Sequence, residues 1–205
     1  MSRILAAAAF ALACLAAAPA SAQFRNPLGG GSSSGGVSAE GVISSYVALQ
    51  QDVLGAQEKF STAFGMKDQA EALAAERAAL SSGSLTGDDV RRSRELSERV
   101  DKALAERMAQ EGALSAEGQG AWRDGLVLMA AGTLKAVKFG QDAAGLAGNL
   151  NPSAVLGMVG NGRVVASLAR GAPGLVTSYR RNLGAVVSYG RKQGVQIPAD
   201  ATSLI

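Results

Sequence analysis

Residues 120–148 read GAWRDGLVLMAAGTLKAVKFGQDAAGLAG, and this stretch decides the fold. Trp122, Leu126, Met129 and Val137 fall on one helical stripe, with Leu128, Phe139 and Leu146 beside it. A helix that is apolar around more than half its girth belongs at the centre of a bundle. Gly132, Ala136, Gly140, Ala144 and Gly148 follow one another at four-residue steps and leave a groove of small side chains, where another backbone can come close. Packing within the chain is the plain use of such a groove. Self-association or membrane packing is the other, although Lys135, Lys138 and Asp142 oppose immersion in lipid.

Upstream, Ser38 suits an N-cap, and Ile43, Tyr46, Val47, Val53, Leu54, Phe60, Phe64 and Leu73 recur at helical spacing to about Leu80, with a break expected near Gly65. Residues 81–87 form a turn, after which Asp88 is expected to cap a helix that turns Val90, Leu96, Val100, Leu104 and Met108 inward. A short loop between two such helices predicts an antiparallel hairpin. Opposite charges stand four apart on the outer face of the second helix: Arg91 with Glu95, Arg94 with Glu98, Glu95 with Arg99, Glu98 with Lys102, Lys102 with Glu106. That ladder is a solvated face. Asp88 and Asp89, at a helix start, read as cap and dipole partners rather than paired catalytic carboxylates. The chain loosens over residues 112–120, with Ser115 placed to cap the next helix.

Downstream, Asn151-Pro152 is expected to open a fourth segment through Val155, Leu156, Val159, Val164, Val165 and Leu168, and Gly171 and Pro173 to end it. A fifth carries Leu175, Val176, Tyr179, Leu183, Val186 and Val187. Gly157, Gly160 and Gly162 lack the strand-helix context of a nucleotide loop and read as helix packing or a kink. The fold expected is all-α: a bundle of four to five helices, an N-terminal antiparallel hairpin joined to a Gly/Ala-rich C-terminal half. It occupies a single domain over residues 38–194, with a partly ordered tail over 195–205.

At the start of the chain, Arg3 precedes an apolar run from Ile4 to Ala18, and Ala20-Ser21-Ala22 offers small residues for cleavage. Residues 1–22 therefore read as a signal peptide cut before Gln23, which implies a periplasmic or secreted protein. Ala11-Leu12-Ala13-Cys14 gives a weaker alternative, lipid attachment at Cys14. Residues 23–37, rich in Gly and Ser, form a flexible tether, and their Gly-Gly-Gly run has neither the preceding strand nor the following Lys-Ser/Thr of a phosphate loop.

Composition narrows function. The chain has no His, and its single Cys lies in the leader, so the mature protein offers no imidazole or thiol for a nucleophilic triad, a zinc site or a disulfide. Asp124 and Asp142 share a helical face but stand eighteen residues apart, about 27 Å at 1.5 Å per residue, too far for one substrate. No catalytic residue, cofactor site or metal site is expected.

Charge divides the chain. Residues 23–119 hold 10 basic and 14 acidic side chains, a net of −4, whereas residues 120–205 hold 9 and 3, a net of +6. Arg163 and Arg170 stand seven apart, and Arg180 with Arg191 and Arg181 with Lys192 stand eleven apart, so each pair shares a helical face. These residues could meet an anionic lipid surface or could simply be solvated. The expectation is a non-enzymatic exported helical protein that acts by binding an envelope protein or itself, the alternative being a membrane-surface module using the basic half. No nucleic acid partner is expected, because no recognition motif is present.

Overall fold

The structure, a computed structural model, describes residues 38–82, 85–110, 112–149 and 161–205, without the side chains of residues 147–149 and 161. The expected leader with Cys14, the tether, the helix start at Asn151-Pro152, and Gly157 and Gly160 lie outside the described residues. Among the described residues six helices follow in order: α1 (Ala39–Ala63), α2 (Lys67–Ser81), α3 (Gly87–Ala109), α4 (Ala116–Asn149), α5 (Asn161–Lys192) and the short α6 (Ala199–Ser203). No strand occurs among the described residues, and the fold is an all-α bundle.

Ser38 caps α1 by accepting from the Gly41 amide at 3.0 Å. The expected break falls at Gly65, whose φ of 69° reverses the chain at little cost only because it lacks a Cβ. α2 then runs back along α1, held by an Arg77–Glu58 ion pair at 2.7 Å and by Gln51 Nε2, which donates to the Arg77 carbonyl at 2.8 Å. The antiparallel pairing expected across the turn forms between α2 and α3, while the segment expected as one helix to about Leu80 is itself a second hairpin, α1 with α2, so that α3 runs parallel to α1.

The cap of α3 is Thr86, not Asp88. Thr86 Oγ1 accepts from the Asp89 amide at 3.2 Å while Asp89 Oδ2 accepts from the Thr86 amide at 2.9 Å. Three residues beyond Asp88 stands Arg91, which has no acceptor to return, so only Thr86 completes a reciprocal box. Arg92 on α3 reaches the buried Glu76 of α2 at 2.9 Å and fixes the antiparallel register.

α1, rather than α4, is the central helix. Val42, Tyr46, Leu49, Gln50, Val53, Leu54, Gln57, Phe60 and Ser61 are all buried on one broad face of α1, Gly55 and Ala56 are buried beyond it, and α2, α3, α4 and α5 all pack on this helix. α4 lies antiparallel along the full length of α1, from Gly118 beside Ala63 to Asp142 beside Ser45, and leaves Val127 and Leu134 about half exposed on its outer side. Polar residues at the centre of α1 conceal its position from a hydropathy reading.

α5 passes through Pro173 without a break, so the expected turn at Gly171 and Pro173 is replaced by one helix. An interior proline costs about 3 kcal/mol through its lost amide and ring clash. Here Val165, Leu168, Ala172, Tyr179, Leu183 and Val186 stay in helical phase across it and are buried, while Pro173 faces solvent. Burying side chains of this size contributes roughly 1.5–3 kcal/mol each, which outweighs the proline.

Gly194, with φ 73°, ends α5: the Val195 amide donates to the Gly190 carbonyl at 2.9 Å and the Gly194 amide to Arg191 at 3.2 Å. Beyond it, residues 195–205 do not trail away. Val195 is buried, Ala201 of α6 is fully buried, and α6 packs on α4 and α5.

The few aromatic residues gather at two levels of the bundle. Trp122 meets Phe60 with ring centres 4.5 Å apart, Tyr189 at 4.9 Å and Phe64 at 5.4 Å, tying α1, α4 and α5 together at one end. Its Nε1 donates to the Val186 carbonyl at 3.2 Å, so the buried indole is satisfied. At the other level Tyr46 meets Phe139 at 5.8 Å.

Candidate functional site

The small-residue groove of α4 is filled from within the chain. Gly132 lies so close to α1 that a Cβ there would stand 2.9 Å from Val53 Cγ2, Ala136 is fully buried, and a Cβ on Gly140 would stand 3.2 Å from Val176 Cγ2 of α5. Ala144 is exposed, and the surroundings of Gly148 lie outside the described residues. A four-residue step overshoots a helical turn by about 40°, so the line rotates off α1, onto α5 and out to solvent.

The glycines that set the α1–α4 approach are seven apart: Gly118, Gly125 and Gly132. Added Cβ atoms at the first two would stand 3.0 Å from the Ala63 carbonyl and 2.5 Å from Phe60 Cε1. Seven residues fall only about 20° short of two turns, so this line stays on α1. The spacing is visible in the sequence and was the signal to follow.

All six cationic residues singled out on α5 are exposed: Arg163, Arg170, Arg180, Arg181, Arg191 and Lys192. Successive separations of 7, 11 and 11 residues set Arg163, Arg170, Arg181 and Lys192 on one line, and Arg180 with Arg191 on a second about 90° away. Among the described residues none of the six pairs with a carboxylate. The contrast with α3 is sharp, because there Arg91 meets Asp88 at 3.1 Å, Arg92 meets Asp89 at 2.8 Å, and Arg94 meets Glu98 at 3.6 Å. Of the ladder read from sequence, the Arg91–Glu95 and Arg94–Glu98 rungs form, at 3.8 and 3.6 Å.

Sequence reasoning missed the polar interior. Gln50 of α1 is fully buried and its Nε2 donates to both phenols, Tyr46 and Tyr179, at 3.1 Å each. Burial pushes the Tyr46 phenol up to about 12 and raises Tyr179 as well, so both stay neutral donor-acceptors. One turn or two further along, Gln57 donates to Ser97 Oγ at 2.8 Å and to Asp101 Oδ1 at 2.7 Å, and Asn182 of α5 donates to Asp101 Oδ2 at 2.7 Å. Asp101 thereby joins α1, α3 and α5. Burial lifts its carboxyl above the ordinary range, against the opposing pull of the two amide donors.

Above this network α3 and α5 part and leave a cleft of about 540 Å³, floored by Gln50 and Tyr179 and walled by Arg94, Glu98, Asp101 and Arg170 among others. Glu98 stands 3.6 Å from Arg94, and Asp101 accepts from the amides of Gln57 and Asn182. Asp142, weighed above as half of a distant acid pair, accepts from Lys138 at 2.6 Å and from Ser45 at 3.2 Å. No group of three or more metal-ligating residues occurs among the described residues. Comparison of the chain with protein-family models, with curated proteins and with solved structures finds no match in any of the three.

Proposed function

We propose that this chain is an exported, non-enzymatic helical protein that docks on an anionic lipid surface of the cell envelope through the outer face of α5. The observation that carries the reading is the charge of that helix: residues 161–192 hold six cationic side chains and no carboxylate, whereas residues 87–109 hold six of each sign. A solvated face balanced in the ordinary way looks like α3, with neighbouring opposite charges. Among the described residues the cations of α5 have no carboxylate partner. Export rests on the leader read from residues 1–22.

The face between the cations is made of Pro173, Gly174, Thr177, Ser178, Ala185 and Ser188, all exposed and none large and apolar. Beside this face Ile205, about half exposed near Gly184, is a large apolar side chain, and no helix among the described residues is long and apolar enough to cross a membrane. Contact would be electrostatic at the headgroup level. At about 1 kcal/mol per cation near an anionic surface, four aligned residues supply about 4 kcal/mol, so binding should be reversible and released by salt. Self-association rested on the α4 groove, and Gly132, Ala136 and Gly140 already meet α1 and α5. For that reason the basic face carries the proposal.

Vesicle flotation of the mature chain tests it. Binding to vesicles containing phosphatidylglycerol at low salt, lost with phosphatidylcholine alone, is the expected result. Equal behaviour towards the two vesicle types would refute it.

A further inference from the structure

We propose that α3 is a strap anchored at both ends, whose middle lifts off α1 and α5 as a unit while the rest of the bundle stays packed. The strap is independent of whatever the outer face of α5 meets.

Open space flanks α3 on both sides. Towards α2, cavities of about 340 and 260 Å³ lie between Ala103 or Arg107 and Lys67, and between Leu96 or Val100 and Ala72. Towards α5, cavities of about 360, 540 and 80 Å³ border Val90, Ser97 and Leu104 in turn, with Ser167, Ser178 and Ala185 on their other side. Protein interiors are ordinarily close-packed, and a helix with voids along both flanks has lost part of the dispersion attraction that holds its neighbours. α1 and α4 are the opposite case, since an added Cβ on Gly132 would stand 2.9 Å from Val53 Cγ2.

The face of α3 that does touch the bundle is part polar. Val90, Val100 and Leu104 are buried on it, and so are Ser93 and Ser97. A small clasp joins its middle to the neighbours: Gln57 of α1 donates to Ser97 Oγ at 2.8 Å and to Asp101 Oδ1 at 2.7 Å, and Asn182 of α5 donates to Asp101 Oδ2 at 2.7 Å. Water replaces bonds of this kind at small net loss when the groups are uncovered. Beside the clasp, Ser93 Oγ and Gln57 Oε1 are buried without a partner in the protein. Lifting α3 hydrates both, which offsets part of the exposure of Val90, Val100 and Leu104.

The ends of α3 are fixed more firmly than its middle. Near the start Arg92 meets the buried Glu76 of α2 at 2.9 Å. Just past the end, the Tyr189 phenol donates to the Gly112 carbonyl at 2.8 Å and the Leu114 amide donates to Gln193 Oε1 at 3.0 Å. A helix pinned at both ends and loosely seated between them opens as one cooperative unit, without global unfolding. Phe60, Met129 and Val186 border the same cavity as Leu104, so an open strap uncovers these apolar side chains beside the amides of Gln57 and Asn182.

Native-state hydrogen exchange of the mature chain, read residue by residue, tests the strap. Amides from Ser93 to Leu104 are expected to exchange at least about 100-fold faster than the buried amides of α1 and α4. Gly132→Ala crowds Val53 across the α1–α4 contact, which persists while the strap is open. That variant should therefore speed exchange in α1 and α4 and leave α3 unchanged. A bundle that opens only by global unfolding would give one common rate for the three helices, accelerated in all of them by Gly132→Ala. Thiol labelling supplies a second reading that does not need this variant to fold, since the single native Cys lies in the leader. Ser93→Cys and Thr133→Cys each place one thiol at a fully buried position, on α3 and on α4. With a maleimide, the thiol on α3 should react at least about 100-fold faster than the thiol on α4. Protection of α3 equal to that of α1 and α4, acceleration of α3 by Gly132→Ala, or equal labelling of the two thiols would overturn the proposal.

Discussion

Asn182 donates to Asp101 at 2.7 Å across 81 positions of sequence, and with Gln57 on the other carboxylate oxygen this pair ties α5 to α3 and α1, where α3 and α5 otherwise touch little. Asp101→Asn would turn an amide N–H towards one of the two donors and leave it unpaired. A loss of about 1–3 kcal/mol is expected at neutral pH. The pH dependence has a definite sign. Because burial raises the Asp101 carboxyl above its unfolded value, its contribution is fully present below the ordinary carboxylate range and is lost as pH rises through the raised value. The deficit of Asp101→Asn relative to the parent should therefore widen at acid pH. Urea unfolding followed by the fluorescence of Trp122, the single tryptophan, measures both quantities.

Two glycines of α4, five residues apart, should respond in opposite directions to alanine. At Gly125 the new methyl would stand 2.5 Å from the ring of Phe60, which is fully buried and packed at a tilt against Trp122. Overpacking of this kind costs about 1–3 kcal/mol. At Gly120 nothing lies within 4 Å, so Gly120→Ala should gain up to about 1 kcal/mol in helix propensity. Thermal unfolding of the two variants side by side decides whether the seven-residue glycine line sets the α1–α4 approach.

The start of α3 can be assigned by removing caps one at a time. Thr86→Ala should cost about 1 kcal/mol, since the reciprocal bonds with Asp89 go with it. Asp88→Ala should change stability by only a few tenths of that. Denaturant midpoints at constant m-value provide the comparison.

These contrasts bear on how much could be read from residue order. Helical periodicity located the helical stretches of α1 to α4, because amphipathic spacing is a local fact, but it ran α1 and α2 together as one helix with a weak point at Gly65, where the chain in fact reverses. Three features were not local. Pro173 reads as a stop, and only the buried stripe on both sides of it, held by α1 and α4, keeps α5 whole. Residues 195–205 look like a tail, and their order comes from the turn at Gly194 and from burial of Val195 and Ala201 against distant helices. Gln50 and Gln57 look like surface residues of α1, and they are buried because Tyr179, Ser97 and Asp101, up to 129 positions away, supply their partners. The cationic residues of α5 were legible as a pattern, whereas the absence of ion pairs to them among the described residues required the packed bundle. The cleft was invisible, since its walls come from two helices that sequence does not pair.

Cosedimentation of the parent chain and of Arg163→Glu/Arg181→Glu with phosphatidylglycerol vesicles at low salt probes the α5 face most directly. Reversing two of the four aligned charges brings that line from four positive charges to zero, and both side chains are exposed, so circular dichroism should be unchanged. The parent should pellet with the vesicles and the variant should stay in the supernatant. A folded variant that pellets as fully as the parent would contradict the role assigned to α5.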